Sequence, residues 1–284
     1  MSGTEIKIEY PPYSVLMSVY AKETASNLRT SIESMFGQTV KPAEIVMIED
    51  GPLTEELYSV LDEYTEKYGE CFRRVASERN EGLGNALRKG VVECRNELIA
   101  RMDTDDVSRS DRCEKQLAVF TEYPDTAVVG GQISEFIETP ENVVGQRIVP
   151  CAHDEICNFL KKRDPFNHPS VMFRQSAVLA AGNYMELHFN EDYYLWARMY
   201  LKGSVFANLP DIVLDMRVGK DLYARRGGYR YFKCQKQMFR FLRKNKIISA
   251  FAYLKAITIR FVVQVMMPNC VRQRMYKKYA RKNR

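Results

Sequence analysis

Leu98-Ile-Ala-Arg-Met-Asp-Thr-Asp-Asp106 (LIARMDTDD) runs from an apolar, strand-like stretch straight into three carboxylates within four residues. Like charges this close repel, so either water bathes them or a cation neutralises them. A buried strand that ends on charge fits a sheet whose ligands gather beyond the carboxyl ends of its strands. The residues upstream decide whether this chain builds such a sheet.

Tyr13 to Tyr20 (YSVLMSVY) is an apolar run without strict alternation, as in a parallel strand covered on both faces. Then the period changes: Leu28, Ile32, Met35 and Phe36 fall on one helical face that ends near Gly37. Glu44–Ile48 is a second strand, and a helix opens at Thr54, with Glu55 and Glu56 in its first turn and Leu57, Val60, Leu61 and Tyr64 aligned. Phe72–Ala76, Leu83–Cys94 and Glu97–Met102 repeat strand, helix, strand. Such alternation predicts an α/β fold with a doubly wound, mostly parallel sheet. Tyr20, Asp50 and the 103–106 carboxylates all fall at strand ends.

Downstream, a helix over Lys115–Phe120 and a strand over Ala127–Gly131 continue the pattern, whereas 134–165 is less regular and is expected to hold sheet-edge strands and acceptor-side loops. Ser170–Phe173 reads as a strand, Gln175–Ala181 as a short helix and Asn190–Leu201 as a helix opened by Glu191-Asp192. Beyond Arg225 helix follows helix, rich in aromatic and basic residues. The domain organisation expected is a catalytic unit over 1–220, with a nucleotide-binding half at 13–112 and an acceptor half at 113–220, then a basic helical extension over 221–284.

Composition narrows the class. With 45% hydrophobic and 27% charged residues in 284, the chain is an ordinary globule, and disorder is excluded. The start, MSGTEIKIEYPPYS, has no basic segment followed by an apolar core, which predicts a protein kept in the cytoplasm. The seven cysteines are odd in number and lack any C-x-x-C, which argues against a disulfide framework or a zinc site. Charge is asymmetric: from Lys220 onward 19 Lys and Arg face the single acid Asp221, while the first 219 residues hold 23 against 35. The acidic body by itself does not suit a nucleic-acid platform, and the basic end points to phosphates, on a membrane surface or a nucleic acid. Ile247–Met267 is nearly apolar, but Lys255 and Arg260 stand about 140° apart on a helix. In a spanning helix each would cost roughly 2.5–3.5 kcal/mol near mid-bilayer, so the segment is expected to lie at an interface or to dock on the body.

Four constellations carry chemistry. Aspartates are common in loops after strands, as caps or hydrated groups. Three of them at a ligand-collecting strand end favour a divalent cation and a diphosphate, since Asp-x-Asp lets one carboxylate grip the ion while the other orients the ligand. Glu191-Asp192-Tyr-Tyr-Leu-Trp196 places an acidic pair at a helix opening near the only tryptophan, either as a cap or as a general base. Asn80-Glu-Gly-Leu-Gly-Asn opens a helix on glycines, but the third glycine of a dinucleotide fingerprint is Leu87, which removes the NAD reading. Asp164-Pro-Phe-Asn-His168-Pro gathers polar groups around a histidine whose ordinary role is packing. His153 and His188 have no company that would make them ligands.

Taken in order, Ser-Val19-Tyr20, Ile48-Glu-Asp50-Gly, Asn80-x-Gly82-Leu-Gly84 and Asp103-Thr104-Asp105-Asp resemble the family 2 glycosyltransferases of the nucleotide-sugar-dependent GT-A fold. PFNHPSVMFR and EDYYLW resemble the branch that builds bacterial capsule and exopolysaccharide repeat units, the amylovoran-type transferases. The likeness covers about residues 13–220. It implies a metal-dependent, inverting transfer of a hexose from a nucleoside-diphosphate sugar, expected to be a UDP-sugar. Tyr20 and Asp50 would hold the base, Asp103 the ribose and metal side, and Asp105 a Mn2+ or Mg2+ ion on the diphosphate. Val19, Asn80, Gly82, Gly84, Arg88 and Thr104 would complete the donor side. Asp192 would deprotonate the acceptor hydroxyl with Glu191 beside it, and Asn167, His168 and Trp196 would stand on the acceptor side. Where the family usually has Asp-Asp-Gly-Ser this chain has Glu49-Asp50-Gly51-Pro52, and Arg88 replaces an asparagine; neither touches the metal pair.

The acceptor that this resemblance implies is a saccharide on polyprenyl diphosphate, met at the inner face of the membrane through the basic tail. Two rivals remain at this stage. A nucleotidyl- or phosphotransferase would use the same carboxylates, and a membrane- or nucleic-acid-binding adaptor would leave them without a role.

Overall fold

The structure, a computed structural model, describes residues 9–219, 227–268 and 271–272. The parts of the basic segment outside these ranges lie beyond the described residues. Strands β1 (Tyr13–Val19), β2 (Glu44–Glu49), β3 (Phe72–Ala76) and β4 (Leu98–Asp103) alternate with helices α1 (Ala25–Phe36), α2 (Glu55–Tyr68) and α3 (Leu83–Glu93). The chain goes on through β5 (Val107–Ser108), α4 (Arg112–Glu122), β6 (Thr126–Phe136), β7 (Val143–Arg147), α5 (His153–Leu160), β8 (Met172–Arg174), α6 (Gln175–Ala180), α7 (Glu191–Leu201) and β9 (Val205–Arg217). Two helices follow, α8 (Tyr229–Lys244) and α9 (Ala250–Phe261).

Local chemistry starts these elements where the sequence suggests. Thr24 and Thr54 cap α1 and α2 through their hydroxyls, which accept the Asn27 and Leu57 N–H groups. Gly51 turns the chain after β2 with φ of +87°, and a Cβ there would stand 2.5 Å from the Asn80 nitrogen.

One sheet carries the molecule, in the order β3-β2-β1-β4-β8-β6-β9-β5, with β7 on β6. The first four strands pair in parallel, while β8 runs antiparallel to both β4 and β6. Side chains alternate across this sheet: Val15, Met17 and Val19 face a core with α1, α2 and α4, and Leu16 faces a second core with α3, α5, α7 and α8. Burial on both faces explains the unbroken apolar runs. Strand order reverses at β1, between β2 and β4, and opens a crevice at their carboxyl ends.

Sequence reading missed β9. Its run VFANLPDIVLDMR contains Pro210, which cannot donate to a ladder; the register of β9 on β6 shifts between the Asn208 and Ile212 pairings, so the proline sits in an irregularity. The stretch 134–165 holds the end of β6 and the strand β7 paired on it, in keeping with the edge strands expected there, and also the helix α5, which was not expected. The segment after 228 is no loose appendage: Met238, Phe239, Leu242, Ile247 and Ile248 belong to the second core. No helix among the described residues is long and apolar enough to cross a membrane.

Candidate active site

The carboxylates after β4 do not stand alone. Arg101, 1% exposed and pointing the same way as Asp103 two residues on, sets its guanidinium against both oxygens of Asp103, with Nη1 at 2.6 Å from Oδ2. This bidentate pair half-neutralises the cluster from beneath. The Arg101 Nε finds no hydrogen-bond partner. Thr104 donates its hydroxyl to Glu23 at 3.2 Å, which brings a further carboxylate to the rim.

Asp105 and Asp106 feel the crowding. Burial, then the charges of Asp103 and Glu23, push the Asp105 carboxyl up to about 7. Burial and the charges of Asp105 and Asp103 hold Asp106 well above the ordinary carboxylate range. One oxygen of Asp106 accepts the Arg217 N–H at 2.8 Å, while Oδ2 is buried without a partner. Asp103, Asp105 and Asp106 each offer an oxygen within 4.8 Å of the others. Hard oxygen donors, carboxylates crowded enough to hold protons that a dication would displace, and an orphaned carboxylate oxygen fit a Mg2+ or Mn2+ ion.

On the donor side, Val19 is buried at the end of β1 and Tyr20 beyond it is 44% exposed at the crevice mouth. Asp50 is buried, and its two oxygens accept the Glu81 and Gly82 N–H groups at 2.7 and 3.0 Å, while Asn80 donates its amide to the Asp50 carbonyl. In this arrangement Asp50 ties the β2 turn to the opening of α3. Arg88 lies exposed on α3, and its carbonyl accepts the Asn183 amide. Gly84 makes the decisive contact: a Cβ there would lie 3.0 Å from the Glu191 side chain. The absence of a side chain lets α3 meet the first turn of α7, so residues 107 positions apart in sequence close one site.

A second acidic group centres on Asp192. It accepts the Tyr193 N–H at 2.7 Å and is hydrogen-bonded to Asp164. Burial alone would raise Asp192, but the bond from Asp164 and the nearby His168 and Arg147 bring it below its ordinary value. Asp164 is pushed well above its own by burial and by the Asp192 charge. The pair therefore shares one proton, which Asp164 carries. Burial and the proximity of Arg101 lower His168 to about 4, so its ring is neutral at neutral pH; its Nε2 lies 2.8 Å from the Tyr184 hydroxyl. What sustains the Asp192 anion at that pH is thus the bonds from Asp164 and the Tyr193 N–H, and then Arg147. Burial raises Glu191.

Two residues expected on the acceptor side lie inside the fold. Trp196 is fully buried and meets Phe166 and His168 edge-on, so it supports His168 from within. Asn167 is buried too: its amide donates to the Gly131 carbonyl and its oxygen accepts from Arg147. Sequence reading gave no role to Arg101, Glu23, Arg147, Asp164, Tyr184 or Arg217. A charge inside an apolar strand was the available sign for Arg101; the others converge from distant segments.

The profile of Glycosyl transferase family 2 matches residues 14–181. The chain belongs to that family. This glycosyltransferase is 34% identical over 269 residues to the amylovoran biosynthesis glycosyltransferase AmsE of Erwinia amylovora, covering 94% of this chain and 98% of that one. It is 33% identical over 273 residues to UDP-Gal:alpha-D-GlcNAc-diphosphoundecaprenol beta-1,3-galactosyltransferase of Escherichia coli, covering 96% and 98%. Its fold superposes on a mannosyltransferase from Pyrobaculum calidifontis, solved with GDP-Man and Mn2+, at a TM-score of 0.63 and 14% identity over 96% of this chain and 81% of that one. The GT-A-like α/β fold is thereby shown.

Proposed function

We propose that this glycosyltransferase moves a hexose from a UDP-sugar to a hydroxyl of a saccharide carried on polyprenyl diphosphate, inverting the anomeric centre, in capsule or exopolysaccharide repeat-unit assembly. The names of the Erwinia and Escherichia relatives support the substrate classes. The observation that carries the reading is the nearness of two unlike acidic sites: a cation-seeking triad at Asp103, Asp105 and Asp106 and a carboxylate kept ionised at Asp192, with Asp103 and Asp192 both within electrostatic reach of His168.

Each residue then has a task. Tyr20 lies open beside Val19 to cover the base, and Asp50 holds the α3 opening with Asn80, Gly82 and Gly84 against the donor, with Arg88 further along. Asp103 and Asp105 would hold Mn2+ or Mg2+, which neutralises charge on the departing nucleoside diphosphate when bound. Thr104 fixes the loop through Glu23. Asp192 accepts the proton of the attacking hydroxyl; Asp164 holds it in place, and neutral His168 adds no competing charge. Residues 13–112 form the donor half and 113–220 the acceptor half, and α8 braces the latter, since Gln235 donates its amide to Asn190 at the start of α7 at 2.7 Å.

A panel of nucleotide sugars with manganese or magnesium tests this, scored for thermal stabilisation and for the product released. One UDP-sugar should stabilise the protein in a metal-dependent way and yield UDP with a lipid-linked acceptor. Release of pyrophosphate or phosphate instead would identify a nucleotidyl- or phosphotransferase.

A further inference from the structure

Helices α8 and α9 lie side by side, joined where Phe232 meets Phe261 edge-on at 5.3 Å between ring centroids. α8 is an ordinary amphipathic helix: Phe232, Met238, Phe239 and Leu242 are buried, while Lys233, Lys236, Arg240, Arg243 and Lys244 are exposed. α9 breaks that rule. It has no fully buried residue, and Arg260 anchors its inner side, lying 3.9 Å from the Phe239 ring centroid and donating to the Lys162 carbonyl at 2.8 Å. Its outer side carries Phe251 at 76% exposure, Leu254 at 62%, Ile259, Val262 and, past the helix, Met266 at 66%. Phe251 and Leu254, and then Ile259, Val262 and Met266, recur three or four apart, and the two groups share one broad face with exposed Lys255 and Thr258 in its middle.

An apolar face of this extent left in water marks a surface that something covers. Charge decides what. Residues 227–268 contain no Asp or Glu, so a second copy docked through the same face would set one row of cations against another. An anionic bilayer takes apolar side chains into the boundary below its headgroups and pairs lysine and arginine with the phosphates above.

We propose that the outer face of α9, flanked by the cations of α8, docks this glycosyltransferase on an anionic lipid bilayer. The inference rests on the lipid-linked acceptor only for its purpose. The bond from Gln235 to Asn190 joins the docking helices to α7, so the surface and Asp192 share one support.

Removing residues 221–284 would not test this cleanly. It deletes Met238, Phe239 and Leu242 from the second core, and the protein would unfold for reasons unrelated to membranes. Point variants on the outer face avoid the problem. Phe251→Ser with Leu254→Ser should keep the melting temperature and lower partitioning onto phosphatidylglycerol–phosphatidylethanolamine vesicles at least about tenfold. Lys233→Gln, Lys236→Gln and Arg240→Gln should each weaken it about fivefold at low salt, from about 1 kcal/mol per basic residue near an anionic surface. Full partitioning by the serine pair, or equal binding of wild type to phosphatidylcholine vesicles, overturns the proposal. So does a dimer in solution that the serine pair dissociates, which would make the face a contact between copies. UDP release with a water-soluble acceptor analogue is measured alongside: its absence in the wild type sinks the transferase reading and leaves vesicle binding untouched.

Discussion

Two groups of carboxylates meet at this site, and they tolerate the same repulsion by different means. Asp103, Asp105 and Asp106 sit within four residues of chain, and a single buried cation, Arg101, pairs with one of them. Asp164 and Asp192 are brought together from separate elements and settle their repulsion with a shared proton. Without an ion the first group also takes up protons, since burial and crowding raise Asp105 to about 7 and hold Asp106 well above its ordinary range, and a dication would displace them. The second is already balanced and leaves Asp192 an anion ready to accept a proton. On the proposed function, a cluster that calls for a cation and a pair that needs none would divide the work of stabilising a leaving group and activating an acceptor.

The sharpest break of this contrast is Asp105→Ala. If the triad holds the metal, turnover falls by about 10³-fold or more, from the several kcal/mol that such an ion supplies. Stabilisation of the protein by manganese with a UDP-sugar, followed by thermal shift, should vanish with it. Near-normal turnover would remove the metal role. Asp192→Asn comes next and should behave oppositely: transfer drops by about 10²–10⁴-fold, the range for a lost general base, while metal-dependent donor stabilisation is kept. If donor stabilisation falls together with transfer, the two groups are one site with one function and the contrast fails.

Arg101→Met probes the cation that the first group already has. It strands Asp103 among its neighbours and should cost about 3 kcal/mol, the scale for breaking a buried pair on one side. Added manganese or magnesium should recover part of that loss, because the ion takes over the neutralisation; denaturant melts with and without metal read both numbers. A loss that metal leaves unchanged would show that Arg101 serves packing alone.

The same division explains what could be read from the chain. The donor half is written locally: β1 to β4 are consecutive, their helices are capped by residues next to them, and the triad is contiguous, so period and motif locate them. The acceptor half depends on distant pairings. β8 joins β4 to β6 by only three residues, and β9 carries a proline at a register shift. No local pattern announces that Asp164 touches Asp192 or that Arg147 holds Asp164 by its carbonyl. Trp196 misled because an aromatic residue near an acidic pair looks the same in sequence whether it lines a pocket or fills a core.

The smallest effect concerns His168, between the two groups and within electrostatic reach of Arg101, Asp192 and Asp103. Its value in the folded protein, about 4, lies below the ordinary 6.5, so below that ordinary value the unfolded chain binds the extra proton first. The penalty on folding is absent above pH 6.5, grows as pH falls, and is complete near pH 4, where it reaches roughly 2–3 kcal/mol. His168→Gln retains a group that can bond to the Tyr184 hydroxyl but does not titrate. The variant should therefore match wild type at pH 7.5 and exceed it in stability by about 1 kcal/mol near pH 5.5. Parallel stability curves for the two proteins between pH 7.5 and 4.5 would mean that burial and Arg101 do not lower His168, and a wild type that gains on the variant as pH falls would make it an imidazolium that balances Asp192.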